Sequence, residues 1–279
     1  MIIRCWGARG SIPVSGKEYL KYGGDSTCIE VRTKDDEVII IDAGTGIRRL
    51  GNRFLNEGRR KYNIIFTHSH WDHMLGFPFF KPIYLKKSQI KLYGFPTAQA
   101  DMHRFLSKTM RPPFFPVCFK DLAANISFTK VYERDLHIGS AKISRIKLSH
   151  PNLGVGYRIE EDGKSFVFLT DNEFTFNHPG GLGYEDYLHF SRDADLLLHD
   201  SEYTEEEYKK TRGFGHSTYK DALKLAIGSN AKMFGLFHHN QDRSDDELDG
   251  IVKDCQQIIL ENNSGLKCFA AYPGMEIVL

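Results

Sequence analysis

The stretch Ile64-Ile65-Phe66-Thr67-His68-Ser69-His70-Trp71-Asp72-His73 carries an apolar run straight into a set of ligand-type side chains. Ile64, Ile65 and Phe66, preceded by Tyr62, predict a buried strand over 62–67. Side chains alternate along an extended backbone, so His68 and His70 project to one side and suit a single cation. Asp72 and His73 follow where the chain turns into its next element, and they can face a second cation. Imidazole and carboxylate are ordinary ligands of zinc and also suit iron and manganese. Three histidines and an aspartate within six residues, directly after a strand, are far rarer than a lone histidine or a His-x-His pair. A metal centre is therefore the favoured reading.

One turn cannot complete two coordination spheres, so further ligands are expected at later strand ends. Three positions share the form of an apolar strand ending in His or Asp. His150 ends 143–149, Asp171 ends 166–170, and His238 ends 233–237. Asp171 can bridge, because a carboxylate has two oxygens to share. His239 rivals His238. Neighbours on a strand face opposite ways, so one of the two is expected at the metals.

Strand patterns are also expected over 2–5, 27–32, 37–41, 126–131, 141–148, 155–159 and 194–199. Helices are expected over 46–58, 97–110, 218–227 and 245–262. The segment at about 86–125 contains Arg111-Pro112-Pro113-Phe114-Phe115-Pro116, which reads as an ordered loop. It is expected either to pack on the core or to form a wall or lid near the site. No repeat or linker divides the chain, so residues 1–279 are read as one layered α/β domain.

Lys and Arg (37) nearly cancel Asp and Glu (36). No global positive field recruits nucleic acid, and RNA is possible as a partner but not favoured. The five widely spaced cysteines read as reduced thiols in a cytoplasmic protein. No run of about 18 apolar residues predicts a membrane span, and no signal peptide is expected.

These residues resemble the metallo-β-lactamase superfamily over nearly the whole chain. His68-x-His70-x-Asp72-His73 fits its signature, and Asp42 in Ile41-Asp42-Ala43-Gly44 looks like its structural aspartate. His150, Asp171 and His238 stand in the order of its remaining ligands. The resemblance implies a four-layer αβ/βα sandwich with two divalent metal ions at the edge between two sheets. Zinc is the first expectation, with manganese or iron compatible. The pattern looks most like the phosphodiesterase branch, which includes ribonuclease Z and cyclic-nucleotide phosphodiesterases. His150-Pro151-Asn152-Leu153-Gly154 resembles that branch after its third His ligand. Leu198-His199-Asp200-Ser201 and Gly215-His216-Ser217-Thr218 resemble its paired His-Glu-Ala-Thr and His-Ser-Thr motifs, although Asp200-Ser201 replaces the usual Glu-Ala. An aspartate reaches less far than a glutamate, which puts the pairing of Asp200 with His216 in doubt.

The chemistry expected is hydrolysis of a small phosphodiester, such as a cyclic nucleotide, by a hydroxide held between two cations, with Asp72 in the catalytic centre. His216, oriented by Asp200, is expected to stabilise the phosphoryl group or protonate the leaving oxygen. Otherwise Ser217 and Thr218 would simply start a helix. Ribonuclease Z-like processing is the first alternative, and a di-iron sensor signalling to a protein is the second. Pairing into a homodimer is implied by resemblance alone. His103, His137, His178 and His189 carry little functional weight, with His178 expected in an exposed turn.

Overall fold

The computed structural model of the chain describes residues 1–94, 102–131 and 135–279. Six strands of the first half, β1 (Ile2–Gly7), β2 (Cys28–Arg32), β3 (Val38–Ile41), β4 (Lys61–Ile65), β5 (Gln89–Gly94) and β6 (Asn125–Lys130), share one sheet with β14 (Glu276–Val278). Its order is β14-β1-β2-β3-β4-β5-β6. The other sheet has the order β13-β12-β11-β10-β9-β8-β7. It is built from β7 (Asp135–Ile138), β8 (Ala141–Leu148), β9 (Gly154–Glu161), β10 (Lys164–Leu169), β11 (Leu196–Asp200), β12 (Met233–Phe237) and β13 (Lys267–Ala270).

Period-two alternation explains how the sheets are covered. In β3 and β4, Ile39, Ile41 and Ile65 point into a core shared with Phe166, Phe168, Leu196 and Leu198 of the second sheet. Their neighbours Ile40 and Ile64 face the other way, onto Ile47, Leu50 and Phe54 of helix α1 (Ile47–Asn56). On the second sheet Val167, Leu169 and Leu197 face Leu223 of α6 (Tyr219–Gly228) and Leu248, Ile251 and Ile259 of α7 (Asp245–Glu261). Both faces of the central strands β3, β4, β10 and β11 are thus buried, which is why these strands read as unbroken apolar runs. The result is the expected helix–sheet–sheet–helix sandwich.

Strands β3 to β6 run parallel, as do β10 to β13. Parallel strands carry their loops at a common edge, where open α/β sheets bind ligands. Asp42 follows β3, the His68–His73 turn follows β4, Asp171 follows β10, Asp200 ends β11 and His238 follows β12. The two sheets bring these carboxyl ends together.

Four strands escaped the sequence reading: β5, β7, β13 and β14. In β5, Gln89 and Lys91 are exposed while Ile90 and Leu92 are buried, a half-polar alternation masked by its short length. The segment expected as loop and helix therefore begins with a sheet strand. Helix α3 (Met102–Thr109) agrees with the later part of the expected 97–110 helix, whose start lies outside the described residues. Among the described residues no helix is long and apolar enough to cross a membrane. The remaining helices are α2 (Trp71–Met74), α4 (Tyr184–Phe190) and α5 (Glu205–Thr211).

Candidate metal centre

All seven residues singled out as ligands converge in two overlapping groups. His68, His70, His150 and Asp171 offer atoms within 4.8 Å of one another, and so do Asp72, His73, Asp171 and His238. In the first group His70 Nδ1 and His150 Nε2 are 3.1 Å apart. Asp171 Oδ2 lies 3.4 Å from His68 Nε2 and 3.8 Å from His150 Nε2. In the second, Asp72 Oδ2 lies 3.1 Å from His73 Nε2 and 3.2 Å from His238 Nε2. Asp171 stands 3.2 Å from His73 Nε2 and 3.4 Å from His238 Nε2. Asp171 thus belongs to both groups, as a bridging carboxylate would. Two ligands bound about 2.0–2.2 Å from one zinc at a tetrahedral angle lie roughly 3.3–3.6 Å apart, close to these separations.

The far nitrogens of the imidazoles are fixed by their neighbours. Thr67 donates its hydroxyl to Asp42 Oδ2 at 2.7 Å and accepts from His68 Nδ1 at 3.0 Å. His73 Nδ1 donates to Asp42 Oδ2 at 2.8 Å, His150 Nδ1 to the Gly215 carbonyl at 2.9 Å, and His238 Nδ1 to Glu202 at 2.9 Å. In each of these four the Nε2 lone pair is left to face the group's centre. His68 Nε2 and His73 Nε2 are buried with no hydrogen-bond partner. Such orphaned acceptors are costly unless something completes them. Asp42, Asp171 and His238 hold left-handed backbone with φ of 63°, 52° and 57°, uncommon for residues with a side chain.

Electrostatics point the same way. Burial, then the neighbouring His68, pushes His70 down to about 4, and burial holds His150 well below its ordinary value. Burial also opposes a charged His73, but Asp171, Asp72 and Asp42 outweigh it and hold His73 well above the usual range. His238 is raised likewise by Asp171, Asp72 and Glu202 against burial. A group of carboxylates that draws protons onto buried imidazoles lacks positive charge, which divalent cations would supply.

His216 lies against this centre, its ring stacked on His238 with centroids 4.6 Å apart. Its Nδ1 donates to Asp200 Oδ2 at 2.7 Å, so the short aspartate does reach. Burial lowers its pKa, but Glu202 and Asp200 outweigh that and raise it to about 9. Thr218 caps α6 by accepting from Asp221 N at 3.0 Å, so the helix-start role belongs to Thr218 and leaves His216 free of it.

The structure also resolves the neighbouring histidines. His239 turns away from the centre and donates Nε2 to the Ala271 carbonyl at 2.8 Å, while His238 stays with the cluster. The expected exposed turn at His178 is corrected: His178 is buried, with Nε2 2.9 Å from Glu173. His103, His137 and His189 are exposed.

Two buried acids matter more than the sequence suggested: Glu173, which carried little functional weight there, and Glu202, which was missed. Glu202 accepts from His238 Nδ1 and lies 3.4 Å from His216 Nδ1. Glu173 accepts from the backbone N–H groups of Gly213 and Gly215, each at 2.7 Å. Their only sequence signal was position, each two residues beyond a site aspartate.

A cleft of about 510 Å³ opens beside the metal turn. Trp71, Phe79, Phe105, Phe114, Phe115 and Lys108 line it, together with apolar side chains of α2. The proline- and aromatic-rich loop after α3 contributes Phe114 and Phe115 to this lining.

A family model described as the β-lactamase superfamily domain matches residues 37–239. The chain belongs to this superfamily, a class of metal-dependent hydrolases, and within it to the phosphodiesterase-like branch. Ribonuclease Z of Picrophilus torridus is 23% identical over 283 residues, covering 86% of this chain and 85% of that protein. Ribonuclease Z of Nanoarchaeum equitans is 25% identical over 236 residues, covering 72% and 73%. Among solved structures, the metallo-β-lactamase fold protein YhfI of Bacillus subtilis is similar with a TM-score of 0.71 at 15% identity, covering 99% of this chain and 98% of that one. The short form of human tRNase Z gives a TM-score of 0.66 at 18% identity, covering 100% and 99%.

Proposed function

We propose that this protein is a metal-dependent phosphodiesterase acting on a small phosphodiester. His68, His70, His150 and Asp171 would hold one divalent cation, and Asp72, His73, His238 and Asp171 a second, with zinc the best match to the donor set. Bound cations supply Lewis acidity at a phosphoryl oxygen and make hydroxide available near neutral pH.

The observation that carries the reading is His216. It is a buried imidazole stacked on His238, with Nδ1 tied to Asp200 and Nε2 available to a substrate. Asp200 fixes the ring's tautomer and favours its protonated form, so His216 can donate a proton from Nε2 to a leaving alkoxide. An unaided alkoxide leaves poorly, and general acid catalysis is worth about 10²–10⁴-fold. A pure sensor would have no use for this pairing.

The test is turnover of bis(p-nitrophenyl) phosphate by protein of measured metal content, with Zn²⁺, Mn²⁺ and Fe²⁺ each supplied. His216→Ala is expected to lose at least a hundredfold in kcat while keeping its metals. No turnover by the fully loaded protein would sink the proposal. Cyclic nucleotides are then the first natural substrates to screen.

Ribonuclease Z-like processing is the second reading, favoured by relatives of that name that align over most of the chain. Cleavage of a tRNA precursor, with binding that weakens steeply as salt rises, would support it over the small-substrate reading.

A further inference from the structure

We propose that the cleft beside Trp71 is the subsite for a bulky hydrocarbon ester group, aryl or alkyl, on the phosphodiester substrate. The inference rests on the phosphodiesterase reading and deepens it.

Continuity with the metal centre comes first. Of the seven clustered residues, His70 alone is partly exposed; the other six are buried. The centre therefore meets solvent along Ser69 and His70, and the next residue is Trp71, with 73% of its surface exposed. A phosphoryl group reaching the centre crosses this edge, and a substituent on it meets the indole.

The second argument is surface chemistry. Trp71, Phe79 and Phe114 are 73%, 53% and 73% exposed, all on the same cleft. Concentrated exposed aromatic surface marks a binding site more often than chance. The cleft's volume, about 510 Å³, falls within the range of small-ligand pockets.

The third argument selects the occupant. Among the described residues that line it, Lys108 and Thr109 are the only side chains with a polar group besides the Trp71 indole. The Thr109 hydroxyl already donates to the Phe105 carbonyl at 3.1 Å. A nucleobase carries several donors and acceptors along its edges, and here it would bury most of them without partners. A phenyl ring or alkyl chain has none to satisfy. It would pack on the aromatic walls, with Lys108 at the margin for a polar end. The cleft thus favours a hydrocarbon ester over a nucleoside.

The experiment measures calorimetric binding of phosphonate monoesters, whose alkoxide arm is a poor leaving group, to the zinc-loaded full-length protein. Three probes differ in the carbon-linked arm, methyl methylphosphonate, methyl phenylphosphonate and methyl octylphosphonate, and a fourth, the methylphosphonate ester of thymidine, replaces the ester methyl. Phenyl or octyl is expected to bind at least tenfold tighter than methyl, and which of the two gains more separates an aryl from an alkyl source. Thymidine is expected to gain little. In Phe114→Ala, an exposed-loop change that spares the core, the preference for the hydrocarbon arm should shrink at least threefold. Equal binding of methyl and hydrocarbon arms would overturn the proposal, as would thymidine binding as tightly as phenyl, or a preference untouched by Phe114→Ala. Binding needs no turnover, so the two ideas separate. Hydrolysis of bis(p-nitrophenyl) phosphate without arm preference removes only the cleft assignment. Arm preference without hydrolysis removes only the phosphodiesterase reading.

Discussion

The carboxylate of Glu173 accepts the backbone N–H of Gly215 at 2.7 Å and so joins the β10 end of the centre to the loop that carries His216. The same carboxylate accepts from Gly213 N, from the Tyr208 hydroxyl at 2.6 Å and from His178. Gly215 in turn offers its carbonyl to His150 Nδ1. Glu173→Ala would leave several buried donors unpaired, at about 1–3 kcal/mol for each unsatisfied group. Expected outcomes are a lower urea midpoint and a kcat at least tenfold down, with Glu173→Gln in between because it keeps one acceptor oxygen. Unchanged kcat in Glu173→Ala would show that the loop holds His216 without it.

The motif that Leu198-His199-Asp200-Ser201 resembles carries a glutamate at the position of Asp200. Asp200 already touches His216 at 2.7 Å, while its oxygens also accept from Asn172 N and Glu202 N, each at 3.1 Å. It is fully buried, so a longer side chain has no room. Asp200→Glu is therefore expected to lower kcat at least tenfold, and Asp200→Asn to lower it by removing the charge that favours a protonated His216. Steady-state kinetics would check both. A gain of activity in Asp200→Glu would contradict the packing argument.

Two glycines give the imidazoles their space. A Cβ on Gly10 would fall 2.3 Å from His238 Nδ1, and one on Gly215 2.1 Å from His150 Nδ1. Gly215 also has φ of 101°, which penalises any side chain. Gly10→Ala should selectively weaken the cation held with His238, and Gly215→Ala the one held with His150. Metal analysis after dialysis against limiting chelator is expected to give close to one cation per chain for each variant. Two tightly held cations in either would refute the assignment of that imidazole.

His199 predicts a pH dependence of stability. It is fully buried, donating Nδ1 to the Asp200 carbonyl at 2.6 Å, with Nε2 3.2 Å from Asn172 Nδ2. Burial pushes it down to about 4 from an ordinary 6.5. The unfolded chain therefore binds this proton more readily, and the stability owed to a neutral His199 is complete above pH 6.5. It is lost as pH falls toward 4, on the order of 3 kcal/mol over that window. Urea midpoints from pH 7.5 to 4.5 should fall less steeply for His199→Gln than for the unaltered protein. Parallel curves would mean that another group governs the decline.

The sequence made the candidate metal centre legible because its clustered side chains are local or end apolar runs. His68 to His73 occupy one turn, and His150, Asp171 and His238 each terminate a strand whose composition is unmistakable. The layer order was legible from resemblance and is explained by alternation in β3, β4 and β10. What stayed hidden depends on contacts between distant segments. Glu173 and Glu202 look like ordinary acids until the 213–216 loop and His238 fold against them. Short strands such as β13 and β14 have too few residues to show a period. The cleft needs Trp71 of one segment and Phe114 of another, which no local pattern relates. His178 was misjudged because Pro179-Gly180-Gly181 signals a turn, whereas its partner Glu173 draws the ring inward.

Four of the clustered residues hang from the first sheet and three from the second. Cations held by both would act as a clasp between segments far apart in the chain, since His68 and His238 are 170 positions apart. Ligand that binds only the folded state stabilises it by about 2.7 kcal/mol at a hundredfold excess over Kd. The lifetime of the protein in a protease-rich setting is then expected to track metal supply. Starved of cations, the chain should be nicked faster by a trace of thermolysin-free protease such as trypsin in the presence of chelator, so abundance itself would report the availability of the metal.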